Sequence, residues 1–240
     1  LYTPKTVCKV DWHLLTCYEF AMKWEVIIRR NIAWDDLESE QHSLIEKVKS
    51  NPKVAYLLFS EPSPTFTFGR NSSSQELLWS NDLVRNHKVQ ISPVSRGGKW
   101  TYHGPGQILL YPILHLPTLG YSSKSVRAFL EDFRTGVREA LEELGVHNLS
   151  LQEPFGIYLN EKKLVSFGLA FQRGISSHGM ALYFEDQSFY FSGITPCGVS
   201  GGLSTNLIDN LSQETTWDSV TKLLAHSVKN RFSLRISQVL

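Results

Sequence analysis

Eight apolar residues between positions 126 and 144 decide much of what this chain can fold into. Val126, Phe129, Leu130, Phe133, Val137, Ala140, Leu141 and Leu144 recur at three- and four-residue intervals, which puts them on one face of a helix over 125–144. Such a face must be buried against another element. Ser123 or Ser125 suits the N-cap, and Gly145 suits the end. Strand-like segments follow at 155–159, 163–171, 179–184 and 188–194, with turns predicted at 160–162 and 185–187. Upstream, 54–59, 65–68, 89–94 and 108–116 also read as strands. The first fifty residues read as helical, through Tyr18, Met22, Val26 and Ile27 and then Trp34, Leu37, Leu44, Ile45 and Val48. A final helix is predicted over 217–232, with Val220, Leu223, Leu224 and Val228 inward. Runs of strands rather than strict alternation predict an α+β fold, a mixed and largely antiparallel sheet flanked by helices. No stretch reads as a linker, so 1–240 reads as a single domain.

Composition narrows the function classes. Lys and Arg number 24 against 23 Asp and Glu, a net charge of +1, which argues against binding to a nucleic-acid backbone. The longest apolar run, 108–116, is broken by Pro112 and His115 and is too short to span a membrane. The chain opens on Leu1 and shows no signal-peptide pattern, so the N-x-S/T matches at Asn71, Asn148 and Asn210 are read as empty. Cys8, Cys17 and Cys197 are too few and scattered for a disulfide framework, and no C-x-x-C pair suggests zinc. The expected setting is a reduced compartment, the cytoplasm, with no metal and no cofactor.

The stretch Arg96-Gly97-Gly98-Lys99-Trp100-Thr101-Tyr102-His103-Gly104-Pro105-Gly106-Gln107 is the most unusual part. Its glycines permit close backbone approach, and its amides can wrap a ligand. It matches neither a phosphate-binding Walker loop nor a dinucleotide fingerprint. The plain alternative is a tight connection rich in turn residues. Cys197 lies between Pro196 and Gly198, where an abrupt turn can present a side chain in a cleft. Cys8 and Cys17 read as inert. A free thiol is only about 3% thiolate at neutral pH, so a nucleophilic Cys197 needs a nearby cation or base. Lys163, His103 and His178 are the candidates. A cysteine, a lysine and two histidines near glycines do not by themselves settle a reaction.

In four ordered blocks the sequence resembles the lipoyl(octanoyl) transferase family. These are Glu61-Pro62 with Phe66-Thr67-Phe68-Gly69-Arg70, the Arg96–Gln107 loop, Lys163 to Gly168, and His178-Gly179-Met180-Ala181-Leu182 followed by Pro196-Cys197-Gly198. Val165, Phe167, Tyr183 and 204–207 depart from the family pattern, and bear on pocket shape and chain length. The resemblance implies the fold of biotin and lipoate protein ligase catalytic domains. It also implies an acyltransferase that takes octanoyl from octanoyl-acyl carrier protein and forms a thioester on Cys197. The acyl group then passes to a lysine of a lipoyl domain, on 2-oxoacid dehydrogenase E2 subunits or glycine cleavage H protein. Lys163 is the implied partner of Cys197. Arg96, Gly97, Gly98, Lys99, Trp100, Thr101, Tyr102, His103, Ser166, Phe167, Gly168, His178, Gly179, Met180 and Ala181 are the implied acyl-site residues. A monomer without nucleic-acid or membrane partners is expected. The alternatives are an ATP-dependent lipoate or biotin ligase, a Cys–His hydrolase, and a non-catalytic binding module. For an acidic carrier protein, two basic sets offer themselves: Lys124, Arg127, Arg134 and Arg138 on the long helix, and Arg70, Arg96 and Lys99 near the loop. Solvated decoration is the plain reading of the helical set.

Overall fold

A central strand buried on both faces organises the molecule. In the computed structural model, which describes residues 22–96, 98–122, 125–153, 156–195, 204–211 and 214–239 (side chains to 235), every residue of β2 (Val54–Pro62) is buried. Ala55, Leu57 and Phe59 point to one side; Val54, Tyr56 and Leu58 point to the other. A strand with two apolar faces needs a cover on each, and the chain supplies helices for both.

The main sheet has seven strands. In spatial order they are β1 (Lys23–Ile32), β2, β6 (Gln107–Ile113), β10 (Ile175–Tyr183), β9 (Lys162–Gln172), β8 (Gly156–Leu159) and β7 (Leu149–Gln152). Only the β1–β2 pair is parallel. Helix α1 (Trp34–Ser50) makes the crossover between those two strands, and its stripe Trp34, Leu37, Gln41, Leu44 and Val48 is buried. On the opposite face lie α3 (Val126–Glu143) and α5 (Trp217–Val239), which pack on each other. Gly136 lets them close: a Cβ there would sit 3.0 Å from the Val228 backbone. Phe129 stacks on Phe232 between them, with ring centroids 5.0 Å apart.

A second sheet of three strands, β4 (Gln90–Pro93), β3 (Thr65–Phe68) and β5 (Thr101–His103), carries the glycine-rich loop. Its own aromatic core holds Phe66, Trp79, Trp100 and Tyr102. Short helices α2 (Asn81–Asn86) and α4 (Ser188–Phe191) flank it.

Most expected elements are present, although β2, β6, β10 and α5 depart from the expected bounds by three to seven residues at one end. Two differ in kind. Residues 23–32 form an edge strand rather than a helix, because Lys23 to Arg30 pair in register with Val54 to Glu61 and β2 must satisfy its outer backbone edge. The aromatic run in 188–194 forms α4 rather than a strand, as Phe189 packs edge-on against both the indole of Trp79 and the Tyr190 ring, and Tyr190 lies tilted over Trp79. The turn at 160–162 forms a hairpin with Asn160 and Glu161 both at positive φ, the twist that two-residue hairpins favour. Ser125 takes the N-cap of α3 without a side-chain capping bond, and Gly145 follows the helix at φ 88°. No described helix is long and apolar enough to cross a membrane.

Candidate active site

The loop over 96–103 and the adjacent strands β9 and β10, far from it in sequence, enclose one cavity of about 130 Å³. Arg96, Gly98, Lys99, Trp100, Thr101 and His103 form one wall. Ser166, Phe167 and Gly168 of β9 form the second, and His178, Gly179, Met180 and Ala181 of β10 the third. Trp34, Val94 and Tyr111 complete it. These last three are not singled out by sequence reasoning, since each looks like ordinary core.

Strand alternation explains which loop residues face inward. Thr101 and His103 of β5 line the cavity, and Tyr102 between them points away. Tyr102 is therefore a correction to the expected site. Its ring is fully buried in the small-sheet core and stacks on Tyr190 at 4.2 Å. Gly104 makes room for it, because a Cβ there would lie 2.0 Å from the Tyr102 hydroxyl. Gly97 and Cys197 lie outside the described residues, as do Cys8 and Cys17.

The cations of the loop are held by neighbours. Arg96 donates from Nη2 to Thr67 Oγ1 at 2.8 Å and from Nη1 to the Lys99 carbonyl at 3.0 Å. Lys99 pairs with Glu76 at 2.5 Å, and that bond holds the Glu76 carboxyl below its usual range. Glu61, nearly buried, accepts from Arg30 at 2.8 Å and from the Gly106 amide at 3.1 Å. One carboxylate thus anchors the Gly104-Pro105-Gly106 turn to the outer strand of the main sheet.

Both histidines are neutral. Burial, then the nearby Arg96 charge, takes His103 down to about 3 and His178 down to about 4. The Gln107 amide nitrogen donates to the Tyr102 carbonyl at 3.1 Å, so its oxygen must accept from His103 Nδ1, at 3.2 Å. This assigns the tautomer and leaves His103 Nε2 as an acceptor. Trp34 stacks on the imidazole at 5.3 Å.

Lys163 stands beside the cavity rather than in its lining. A β-bulge sets its direction. Tyr158 pairs with Lys163, while the next residue of β8 back, Ile157, pairs with Val165, so Leu164 is the extra residue. Leu164 and Val165 both enter the α3/α5 core, and Lys163 consequently shares a face with Ser166, three residues on. Its ammonium lies 5.3 Å from the Tyr158 ring centroid. Gly156 opens the space, since a Cβ there would meet the Tyr158 ring at 2.8 Å and Lys163 Cε at 3.1 Å. Ser166 in turn exchanges a 2.7 Å hydrogen bond with the Tyr183 hydroxyl. The described residues flanking Cys197 in sequence reach both sides of this region. Thr195 donates its amide to the Glu76 carbonyl, and Thr205 donates its amide to the Lys163 carbonyl at 3.0 Å.

The candidate basic set on α3 does not form one exposed stripe among the described residues. Arg134 is buried and donates to the Gly156 carbonyl at 3.3 Å, and Arg138 pairs with Glu142 at 3.4 Å. Arg127 is exposed, and Lys124 lies outside the described residues. Arg134 points inward because it adjoins Phe133 on the side of α3 that covers β8.

Known proteins supply an independent comparison. The family model for the lipoyl protein ligase A/B catalytic domain matches residues 37–229. An octanoyltransferase of Acidobacterium capsulatum is 35% identical over 177 residues, covering 70% of this chain and 72% of that protein. In fold the chain is similar to a bipartite lipoate protein ligase of Thermoplasma acidophilum, with TM-score 0.68 at 14% identity over 88% of this chain and 84% of that one. A biotin protein ligase of Aquifex aeolicus aligns with TM-score 0.50 at 13% identity, over 89% of this chain and 72% of that one.

Proposed function

The chain belongs to the lipoyl protein ligase A/B catalytic-domain family, as an acyltransferase of the octanoyltransferase kind, and from that premise we propose that it moves octanoyl from acyl carrier protein to a lipoyl-domain lysine through a thioester on Cys197. The convergence of the Arg96–His103, Ser166–Gly168 and His178–Ala181 segments on one cavity carries this reading. Trp34, Val94, Trp100, Tyr111, Phe167 and Met180 supply an apolar lining that suits an uncharged acyl chain, while Arg96 and Lys99 in the same wall are held by Thr67 and Glu76.

In the first half-reaction the Cys197 thiolate attacks the thioester carbonyl carbon. The carrier thiol leaves with the electron pair of the broken C–S bond. Exchange of one thioester for another is close to isoenergetic, so no nucleotide is required. In the second half-reaction a neutral lysine amine of the lipoyl domain attacks the same carbon. The amide forms, and the sulfur of Cys197 leaves. Thioester to amide is downhill and drives transfer.

Lys163 serves both halves. As an ammonium it favours the Cys197 thiolate and then passes its proton to the departing carrier thiolate; the free amine so formed takes the proton of the attacking lysine, which restores the ammonium as the Cys197 thiolate leaves. The bulge that aims Lys163 to the Ser166 side, and the Thr205 bond to its carbonyl, support that role. The E2 and H-protein lipoyl domains are the proposed acceptors, and the cytoplasm the proposed setting.

An assay of purified protein with a lipoyl domain distinguishes the readings. Octanoyl-acyl carrier protein without nucleotide should octanoylate the domain, read as the mass of the product. Transfer from free octanoate that requires ATP would instead make the chain a ligase.

A further inference from the structure

We propose that Gln41 is a positioning residue of the acyl site, a role that rests on the transferase reading: its side-chain oxygen holds the backbone of His178 in the conformation that shapes one cavity wall. Gln41 is the one polar residue in the buried stripe of α1, only 3% exposed. Its Oε1 accepts the His178 amide at 2.7 Å, across 137 residues of sequence. A buried amide oxygen in an apolar stripe is costly unless it has such a partner.

The His178 end of the bond needs it. His178 has φ 55°, a left-handed conformation that side chains other than glycine adopt at a cost. The β10–β6 ladder runs from Tyr183 to Met180 and resumes only at the Ile175–His115 bridge. The His178 amide therefore has no ladder partner on β6, and Gln41 supplies the acceptor. The turn brings Gly179 so close to β6 that a Cβ would lie 1.9 Å from the Leu110 carbonyl oxygen. It also sets the imidazole in the cavity wall, edge-on to Tyr111 at 5.8 Å and 3.4 Å from Ser95 Oγ.

Helix α1 thus touches the site twice from one stripe. Trp34 packs on His103, and Gln41, two turns on, fixes His178. Loss of the Gln41 oxygen leaves the His178 amide buried without an acceptor and frees the turn to relax. The wall that binds the acyl chain loosens, while Lys163 keeps its own supports. Binding of the donor should weaken more than the chemistry slows.

The test uses the full chain with Gln41→Met, which keeps length and removes the acceptor, and Gln41→Glu, which keeps an oxygen at the same reach. Two readouts are needed: hydrogen exchange of the His178 amide, and KM and kcat for the octanoyl donor. In Gln41→Met the amide should exchange at least about tenfold faster and KM should rise about tenfold, with kcat within about threefold of wild type. Gln41→Glu should restore most of both. A folded Gln41→Met with unchanged His178 exchange, or with lower thermal stability but unchanged KM, overturns the proposal. Should the Met variant not fold, a folded Glu variant decides: wild-type protection at His178 supports the role, and lost protection overturns it. Absence of octanoyl transfer in the wild type would sink the transferase reading, while the exchange experiment would still report on the Gln41 bond.

Discussion

Acidification from pH 7.5 to 5.5 should destabilise the fold through the two cavity histidines. In the unfolded chain a histidine titrates near 6.5. In the fold, burial holds His103 at about 3 and His178 at about 4. Between those values the unfolded chain takes up a proton that the folded chain refuses. The stabilisation is therefore complete above about pH 7, falls as pH drops through 6.5, and levels off below the folded values. One unit below the unfolded value, each histidine costs about 1.4 kcal/mol, so the pair costs about 3 kcal/mol at pH 5.5. His115, also lowered by burial, acts in the same direction, and Glu38, raised by burial, acts in the opposite one. Glu76 and Asp186, held low by their hydrogen bonds, titrate below this window. Urea unfolding followed by tryptophan fluorescence at three pH values measures the slope. His178→Asn should remove about half of it, since asparagine tolerates the left-handed backbone. A stability that stays flat over the two pH units, or a slope that His178→Asn leaves intact, would refute the linkage.

Four substitutions probe the supports of the site. Gly179→Ala puts a methyl into the Leu110 carbonyl and should cost at least about 3 kcal/mol by urea unfolding; a near-neutral value would mean that the strands do not approach as described. Tyr183→Phe removes the partner of Ser166, and a double-mutant cycle with Ser166→Ala should show about 1 kcal/mol of coupling rather than additivity. Glu61→Met, which removes both acceptor oxygens, should lower stability by about 2 kcal/mol, modest because Arg30 is half exposed, and should raise exchange of the Gly106 amide; unchanged exchange would contradict the anchoring role.

The sequence was legible where periodicity and burial agree. The α3 stripe and the doubly buried β2 run announce themselves, and the loop motif points to the cavity wall it forms. The Val26-Ile27-Ile28 cluster of β1 fits helix or strand equally, and only the β2 edge decides it. The Phe189-Tyr190-Phe191 run has strand composition, yet packing around Trp79 coils it. The direction of Lys163 depends on one extra residue in β9, which no spacing rule reveals. Tyr102, inside the most specific motif, is a core residue because alternate residues of a strand face opposite ways. Gln41 did leave a signal, a lone polar residue in the stripe of α1, but its partner lies far along the chain and only the fold brings them together.

The central claim is the acyl-enzyme on Cys197. Intact mass of the protein after mixing with octanoyl-acyl carrier protein, without ATP, tests it most directly, alongside Cys197→Ser and Lys163→Met. The account predicts one added octanoyl group, removed by hydroxylamine, discharged by a lipoyl domain, absent in the serine variant and strongly reduced in the methionine variant. An adduct that persists in Cys197→Ser, or octanoyl transfer to the domain at wild-type rate without that cysteine, would contradict it.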